Sequence, residues 1–572
     1  MPCLRNAEGP VGPVGARGRG PQLARWTTLL LSLLAAPAAL ADDGTAPAVE
    51  VAAPVVSDAP VPVVDDAVAT VDDAVPAADE AVAEPVAAEP EVSATGVSTT
   101  TTEWRVDNKN GIADDNYGVV LERFNLGVQR GELSGEARID VALFGFRPDE
   151  RFQDLNQVER LSVSWAPGSW TFTAGDFYQQ VGRGLLLSLR KLNEAGVDVA
   201  LRGGRVGYQS AAHTVVAFGG TTNTVNLDPI NQRFLPDPAD IVAGGSWELQ
   251  AAPGVKVGTH AVYTQPRESL LPDIIDNATT ASVGLGVPRL FDGLSLHTET
   301  AVQVRSLAGA SRFGSAIYGT SEWRVGDFAL VGEGMMLSDF EQKGSQNAVL
   351  GSRFDYNQPP TLERIDQEVA NNRDLVGLRL RPEYFFFDLD LLVFINGVYR
   401  LNEPDEPSAL HQLHGYAGFE WRMPGGASRL AATVGARDES TALLPERVPL
   451  RSMVHADLDW LQTVFDGYAV HATSNTQWWT FLDNGFVRGS TLLGLEKAGL
   501  GGLTYEFGYD TQNKSPDVRT LFHALIASAE IGDAALVRAT LGTQRGGIKC
   551  VAGVCREFPA FAGGRAEVIV RW

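Results

Sequence analysis

His471 and Ser474 are a pair whose types could do chemistry, since a histidine beside a serine can take the hydroxyl proton and leave a nucleophile. Their separation of three forbids this in a strand, where side chains alternate faces and only residues two apart share one. Thr473 shares the His471 face but is a poor candidate nucleophile. His411 and His414 form the one His-x-x-His of the sequence and would also divide between faces. There is no zinc-protease motif, phosphate-binding glycine loop or G-x-S-x-G elbow. These residues predict no enzyme, no metal and no cofactor. Cys550 and Cys555 lie in a glycine-containing loop of a chain read below as exported, and their spacing suits a small disulfide that shapes the loop. Glu403, Asp405 and Glu406, broken by Pro404, read as a solvated loop.

Charges are the other chemistry-bearing residues, and they recur in the middle of amphipathic segments. Ala137, Ile139, Val141 and Leu143 oppose Glu136, Arg138 and Asp140; Leu430, Ala432, Val434 and Ala436 oppose Arg429, Thr433 and Arg437. Leu503, Tyr505 and Phe507 likewise oppose Thr504 and Glu506. A period of two is that of a strand. A soluble barrel would turn the apolar face inward, whereas a membrane barrel turns it to lipid and keeps a wet lumen. Segments of roughly 10–13 residues match a tilted bilayer span. Aromatics gather at their ends, at Trp165 and Trp170, Trp478 and Trp479, and Tyr384 to Phe387. The expected fold is therefore all-β: a transmembrane antiparallel up-and-down barrel of about 24 strands, within 22–26, behind a disordered N-terminal leader. The lumenal charge candidates are Arg138, Asp140, Asp198, Arg202, Arg379, Arg381, Glu383, Asp388, Asp390, Arg429, Arg437 and Glu506. They would either form a transverse field that filters solutes or be salt-bridged wall.

Tight turns recur at 166–169, 252–254, 325–327, 424–426, 465–467 and 531–533. Longer polar segments lie between them, at about 147–156, 179–196, 223–242, 267–278, 341–372, 401–412, 440–448, 479–486 and 546–560. Short connections on one side and long ones on the other match the periplasmic and exterior ends of such barrels. Val349–Asn357 and Leu185–Leu189 are ambiguous as strands. The stretch 181–193 is too apolar for a solvated loop; it would fold inward as a constriction or pack on the rim, and inward is preferred because Arg183, Arg190 and Lys191 would find lumenal carboxylates there.

Three arginines precede an apolar run, Trp26 to Ala41, that ends in a small-x-small cleavage site, so residues 1–41 read as a secretory signal peptide carrying Cys3. Residues 42–100 hold 13 acidic side chains and no Lys or Arg, over half of the formal charge of −24. Proline-spaced and self-repelling, this segment reads as a disordered periplasmic leader. It would be a spacer, a tether for a basic periplasmic partner, or a segment that enters the pore. The acidic balance argues against nucleic acid as a partner. Residues 101–572 make up the expected barrel, with Thr101–Asp107 supplying its first strand.

The C-terminal strand puts Ala566, Val568, Val570 and Trp572 on one parity, with Arg565, Glu567 and Arg571 on the other. It resembles the assembly signal of bacterial outer-membrane barrels, with Val568, Val570 and Trp572 as its carriers. The segments from Gly175 to Leu185 and from Gly196 to Tyr208 resemble a group of uncharacterised outer-membrane barrels with a G-(D/N)-F-Y-x-Q-x-G-x-G-L segment. That resemblance implies the barrel fold and lends no activity. The expected location is the bacterial outer membrane, with its lipid and the barrel-assembly machinery as partners. The expected function is a passive or plugged channel for a hydrophilic solute or polymer. The alternative is a non-transporting scaffold for an export, motility or envelope complex. No plug domain of a hundred or more residues precedes the barrel, which disfavours an energised transporter.

Overall fold

A strand with one charged and one apolar face can turn either face inward, and the computed structural model resolves the choice. It describes residues 91–572 except 110–114, 193–195, 269–275, 292, 347–352, 359, 361, 363–372, 407–408, 426–427, 444–445, 466, 482–483 and 552–553. The closed barrel has 24 antiparallel strands, each paired with the next in the chain. Val92–Arg105 pairs with Phe561–Arg571 to complete the ring. A two-residue stub, Lys191–Leu192, pairs beside the start of Val197–Gln209 and lies outside the ring.

Polar side chains point in and apolar ones point out. On Leu294–Leu307, Glu299, Ala301, Gln303 and Arg305 are buried, whereas Val302 and Val304 between them are exposed. Leu391–Asn402 repeats the pattern, with Asn396, Val398 and Arg400 inside and Ile395 and Tyr399 outside. Ile395 is 59% exposed beside an Asn396 that is fully buried. In water each exposed aliphatic side chain would forgo about 1.5–3 kcal/mol of burial free energy. In lipid that cost vanishes, so the outer face is matched to a bilayer. Exposed aromatics ring both ends of the wall: Trp165, Trp170, Trp323 and Phe465 at the end with short turns, and Trp104, Phe146 and Phe313 at the other.

The two ends differ as the turn pattern predicts. Connections at one end run from two residues after Arg130 to six after Arg422. The other end carries the long segments 178–196, 225–240, 339–374 and 545–560. Two expected loops there are in fact strand. Arg429–Leu443 and Glu446–Phe465 pair almost to their tips, as do Tyr468–Phe481 and Asn484–Lys497, so 440–448 and 479–486 are ends of long hairpins. Their polar residues are the lumenal parity of strands that continue. The first strand is also longer than expected. It begins at Val92 and takes in residues 92–100, which the composition had grouped with the leader; its polar Ser and Thr side chains concealed its ladder. Signal peptide and the rest of the leader lie outside the described residues.

Two segments fold into the barrel instead of standing above it. In the first, Gln179–Val181 pairs with Leu187–Leu189. In the second, Lys343–Gln346 pairs with Arg353–Asp355. Of the ambiguous strands, the first segment is therefore a small hairpin within the barrel, and only Arg353–Asp355 of the second is strand among the described residues. Leu185, Leu186, Leu187 and Leu189 are buried against Val242, Val262, Ala301, Tyr318, Met335, Leu337 and Val398, all on the inward parity of their strands.

Candidate functional site

The lumen is filled on one side, and its contents are fixed by a carboxylate at the strand entrance. Asp240 precedes Ile241–Ala252 and is fully buried. It accepts the Tyr356 hydroxyl at 2.7 Å, the Ser345 amide at 2.7 Å and the Arg267 amide at 2.7 Å, and it also takes the Ser345 hydroxyl. Thr222 bonds both the Tyr356 oxygen, at 3.1 Å, and the Asp240 amide, at 3.0 Å. Burial first, and then the adjacent carboxylate, hold Tyr356 well above the ordinary phenol range, so its hydroxyl remains a donor. Hydrogen bonds to a charged group contribute about 1.5–3 kcal/mol each. The second inward segment is thus latched to the wall, and it holds the first. The Ser188 amide donates to the Tyr356 carbonyl at 2.7 Å, the Gln358 amide to the Gly184 carbonyl at 2.8 Å, and Arg190 Nε to the Gln358 side chain at 2.7 Å.

At the tip of the first segment Gly182 lies against the Glu299 carboxylate, on which Arg183 acts electrostatically. Arg183 is next to Gly182 but forms no ion pair with a lumenal carboxylate among the described residues. Arg190 is held by the Gln358 amide, and Lys191 is exposed on the stub.

One seam of the barrel wall is closed by side chains in place of a full ladder. Leu155–Trp165 and Trp170–Phe177 pair over only four residues, Ser162–Trp165 against Phe172–Gly175. Gly175 has φ +105°, and a Cβ there would run into the Leu161 carbonyl. Beyond it Asp176 satisfies the vacated edge, accepting the Leu161 amide at 2.9 Å, Arg202 Nε at 3.1 Å and Asn223 Nδ2 at 2.8 Å. Asp198 accepts Arg138 at 2.7 Å, Arg160 at 3.0 Å and the Tyr178 hydroxyl at 2.8 Å. Asp198 has the parity of Val206, which faces lipid, yet its partners Arg138 and Arg160 are on the lumenal face of their strands. The upper end of Val197–Gln209 therefore leans inside the edge of Leu155–Trp165, and the two overlap.

The predicted charges separate accordingly. Arg138 and Asp140 are lumenal, bonded to each other at 2.7 Å. Arg379 pairs with Glu333 at 2.6 Å and Arg381 with Glu383 at 2.7 Å, all on the inward parity. Arg429 pairs with Asp459 at 2.7 Å, Arg437 with Glu439, and Glu506 accepts Gln544 at 2.6 Å. Three predictions need correction. Arg202 has the outward parity of Val206 and Tyr208 and is half-exposed, because the hydrophilic top of its strand lies in the seam. Asp388 and Asp390 lie in the short turn after Leu375–Phe386, where Asp390 has φ +48° and turns the chain, so neither stands on a strand face.

His471 faces inward and meets Asp459 at 3.1 Å, whereas Ser474 faces outward beside Thr491 at 3.1 Å, so the two do not form a catalytic pair. His414 faces inward at 3.0 Å from His455, and His411 faces outward at 2.8 Å from the Tyr399 hydroxyl. No group of three metal-ligating side chains occurs among the described residues. The backbone register sets Cys550 directly opposite Cys555 in the hairpin Gly547–Val551 and Val554–Phe558. Val568, Val570 and Trp572 stand on the outward parity of the closing strand. Sequence reasoning missed Asp240, Tyr356, Ser345 and Asp176. Asp176 stood within a recognised motif, but nothing local links Asp240 to a tyrosine 116 residues away.

A family of unknown function (DUF6029) matches residues 97–232, from the first strand past the first inward segment and His213–Thr224 into the segment that follows. The Gly175–Tyr208 segment lies within that match. No curated protein sequence matches the chain. Among solved structures, OccK5 (OpdH) of Pseudomonas aeruginosa is 11% identical with a TM-score of 0.37, covering 64% of this chain and 96% of its own. The siderophore receptor PirA from Pseudomonas aeruginosa is 9% identical with a TM-score of 0.44, covering 85% and 81%. The usher in the Escherichia coli P pilus tip assembly intermediate PapC-PapD-PapK-PapG is 9% identical with a TM-score of 0.47, covering 86% and 62%. These are likenesses of shape at low identity.

Proposed function

We propose that this chain is an outer-membrane barrel working as a partly plugged passive channel for a hydrophilic solute or polymer. The observation that carries the reading is the asymmetry of the lumen. Its inner wall is buried beneath the two inward segments on the strands from Ile241 to Asn402. On the strands from Arg429 onward, Arg437, Glu439 and His455 are buried, but other inward polar side chains remain partly exposed: Arg429 by 32%, Asp459 by 28% and His471 by 21%. Barrels of 16–18 strands already leave an aqueous channel, so a ring of this size has room for a passage beside its filling. Paired charges of both signs along that passage would order water and select solutes by charge.

Export by the signal peptide, assembly through the outward Val568, Val570 and Trp572, and a periplasmic role for the acidic leader belong to this reading. Swelling of liposomes that contain the folded full chain, challenged with neutral sugars of increasing size, tests it. Uptake of small sugars with a sharp size limit is expected. No uptake from a demonstrably folded barrel would overturn the channel and favour the scaffold alternative.

A further inference from the structure

The outer mouth of the passage holds a cavity of about 920 Å³ with a charge opposite to that of the chain. Lys109, Arg233, Lys514, Arg519 and Arg545 line it, against a single lining carboxylate, Asp510. The whole sequence carries a formal charge of −24, so five cations at one site are not a sample of its average composition. Arg545 meets Asp510 at 3.7 Å and Arg233 lies over the Phe152 ring at 5.9 Å. Lys109, Lys514 and Arg519 form no ion pair among the described residues. Arg233 Nε is buried with no hydrogen-bond partner. A wall that needed cations only for stability would pair them, as the deeper wall does at Arg379 and Arg381.

Apolar rings stand beside the cations. Phe481, Phe486 and Phe522 enter the cavity from the inward parity of their strands. Phe486 stacks at 5° on Trp479, over which Arg488 lies at 4.8 Å, so the cationic and aromatic lining continues downward into the passage. Ring faces pack against the apolar face of a sugar, and guanidinium and ammonium groups bind carboxylate or phosphate oxygens.

We infer that this mouth binds an anionic saccharide, a sugar acid or sugar phosphate, and selects it for entry. The inference rests on the channel reading for the word entry, and on the cavity alone for binding. Low-dielectric walls lined by one sign of charge raise the local concentration of the opposite ion, which gives the site a kinetic role even at weak affinity.

The test uses the folded full chain in detergent, titrated calorimetrically with glucose 6-phosphate and with glucose, and the same chain in planar bilayers for ion selectivity. Expected are binding of glucose 6-phosphate at least tenfold tighter than glucose, weakening as salt rises, and a preference for anions in the bilayer. The Lys514→Gln/Arg519→Gln double variant, confined to an exposed loop, should weaken glucose 6-phosphate binding about tenfold. Arg545→Gln supplies a second variant at the strand end. Equal affinity for the two sugars, or binding unchanged in both variants, would overturn the site. Phosphatidylglycerol micelles that displace glucose 6-phosphate would assign the cavity to a lipid headgroup and overturn the soluble sugar. Binding by a barrel that conducts nothing would retain the site and sink the channel; conduction without sugar-phosphate binding would do the reverse.

Discussion

Tyr356 and Asp240 stand 116 residues apart in the chain and 2.7 Å apart in the barrel, hydroxyl against carboxylate. Their bond joins the second inward segment to the wall, and that segment carries the first through Ser188 and Gln358. With the Ser345 bonds to Asp240 and the leucine packing against the wall, this contact anchors the filling of one side of the lumen.

Tyr356→Phe removes the donor and leaves the ring, so the fold should persist while the filling loosens. The expected loss is about 1–3 kcal/mol, concentrated in the inward segments. It should appear as faster amide exchange at Gln179–Leu189 and noisier channel current. The tyrosine binds its proton more tightly folded than unfolded. Its contribution is therefore full below the ordinary phenol value of 10.0 and fades as pH rises past it. Current noise of the native chain should stay flat from pH 6 to 9.

Asp176→Ala strips the seam of the acceptor for Leu161, Arg202 and Asn223. Because Arg202 is half-exposed, the cost is set mainly by the orphaned amides, at about 1–3 kcal/mol. Urea unfolding in vesicles should show the loss, with partial rescue by Asp176→Asn, which keeps a carbonyl oxygen. Equal stability of the alanine variant would mean that the overlap is held by Asp198 alone.

Gly96 exchanges backbone bonds with Trp572, at 2.8 and 3.0 Å, and any Cβ on it would fall within the Trp572 ring. Gly96→Val should therefore hinder closure of the first strand on the last, costing about 1–3 kcal/mol from overpacking. Trp572→Ala placed in the same chain should relieve the clash, and failure to do so would place the damage elsewhere.

The first strand gives a boundary test. A mature chain starting at Glu91 retains all of Val92–Arg105 and should refold to a heat-resistant barrel. One starting at Thr101 loses Val92–Thr100, of which Val97–Thr100 pair with both neighbouring strands, and should refold poorly. Gel mobility before and after heating distinguishes them.

The barrel was legible in the sequence because period-two patterning is repeated on many wall strands and each repetition is a local signal. Leu391–Asn402 alone declares both faces. Val92–Thr100 was not legible, since serine and threonine suit either a leader or a lumenal face. Arg202 failed for a different reason: parity gives a face, but a strand that leans across its neighbour changes what that face meets. The latch is built from residues outside the wall strands, where no period constrains the chain, so Asp240 and Tyr356 carry no mark of their meeting. Apolar Leu185 to Leu187 did betray an inward turn, because a solvated loop has no use for them.

The most direct test is single-channel conductance of the refolded full chain beside a variant in which Gln179–Leu192 is replaced by a short glycine-serine link. The account predicts a small, steady conductance for the native chain and a severalfold larger one for the variant. Equal conductances, or silence from both folded barrels, would contradict a passage narrowed by the inward segment.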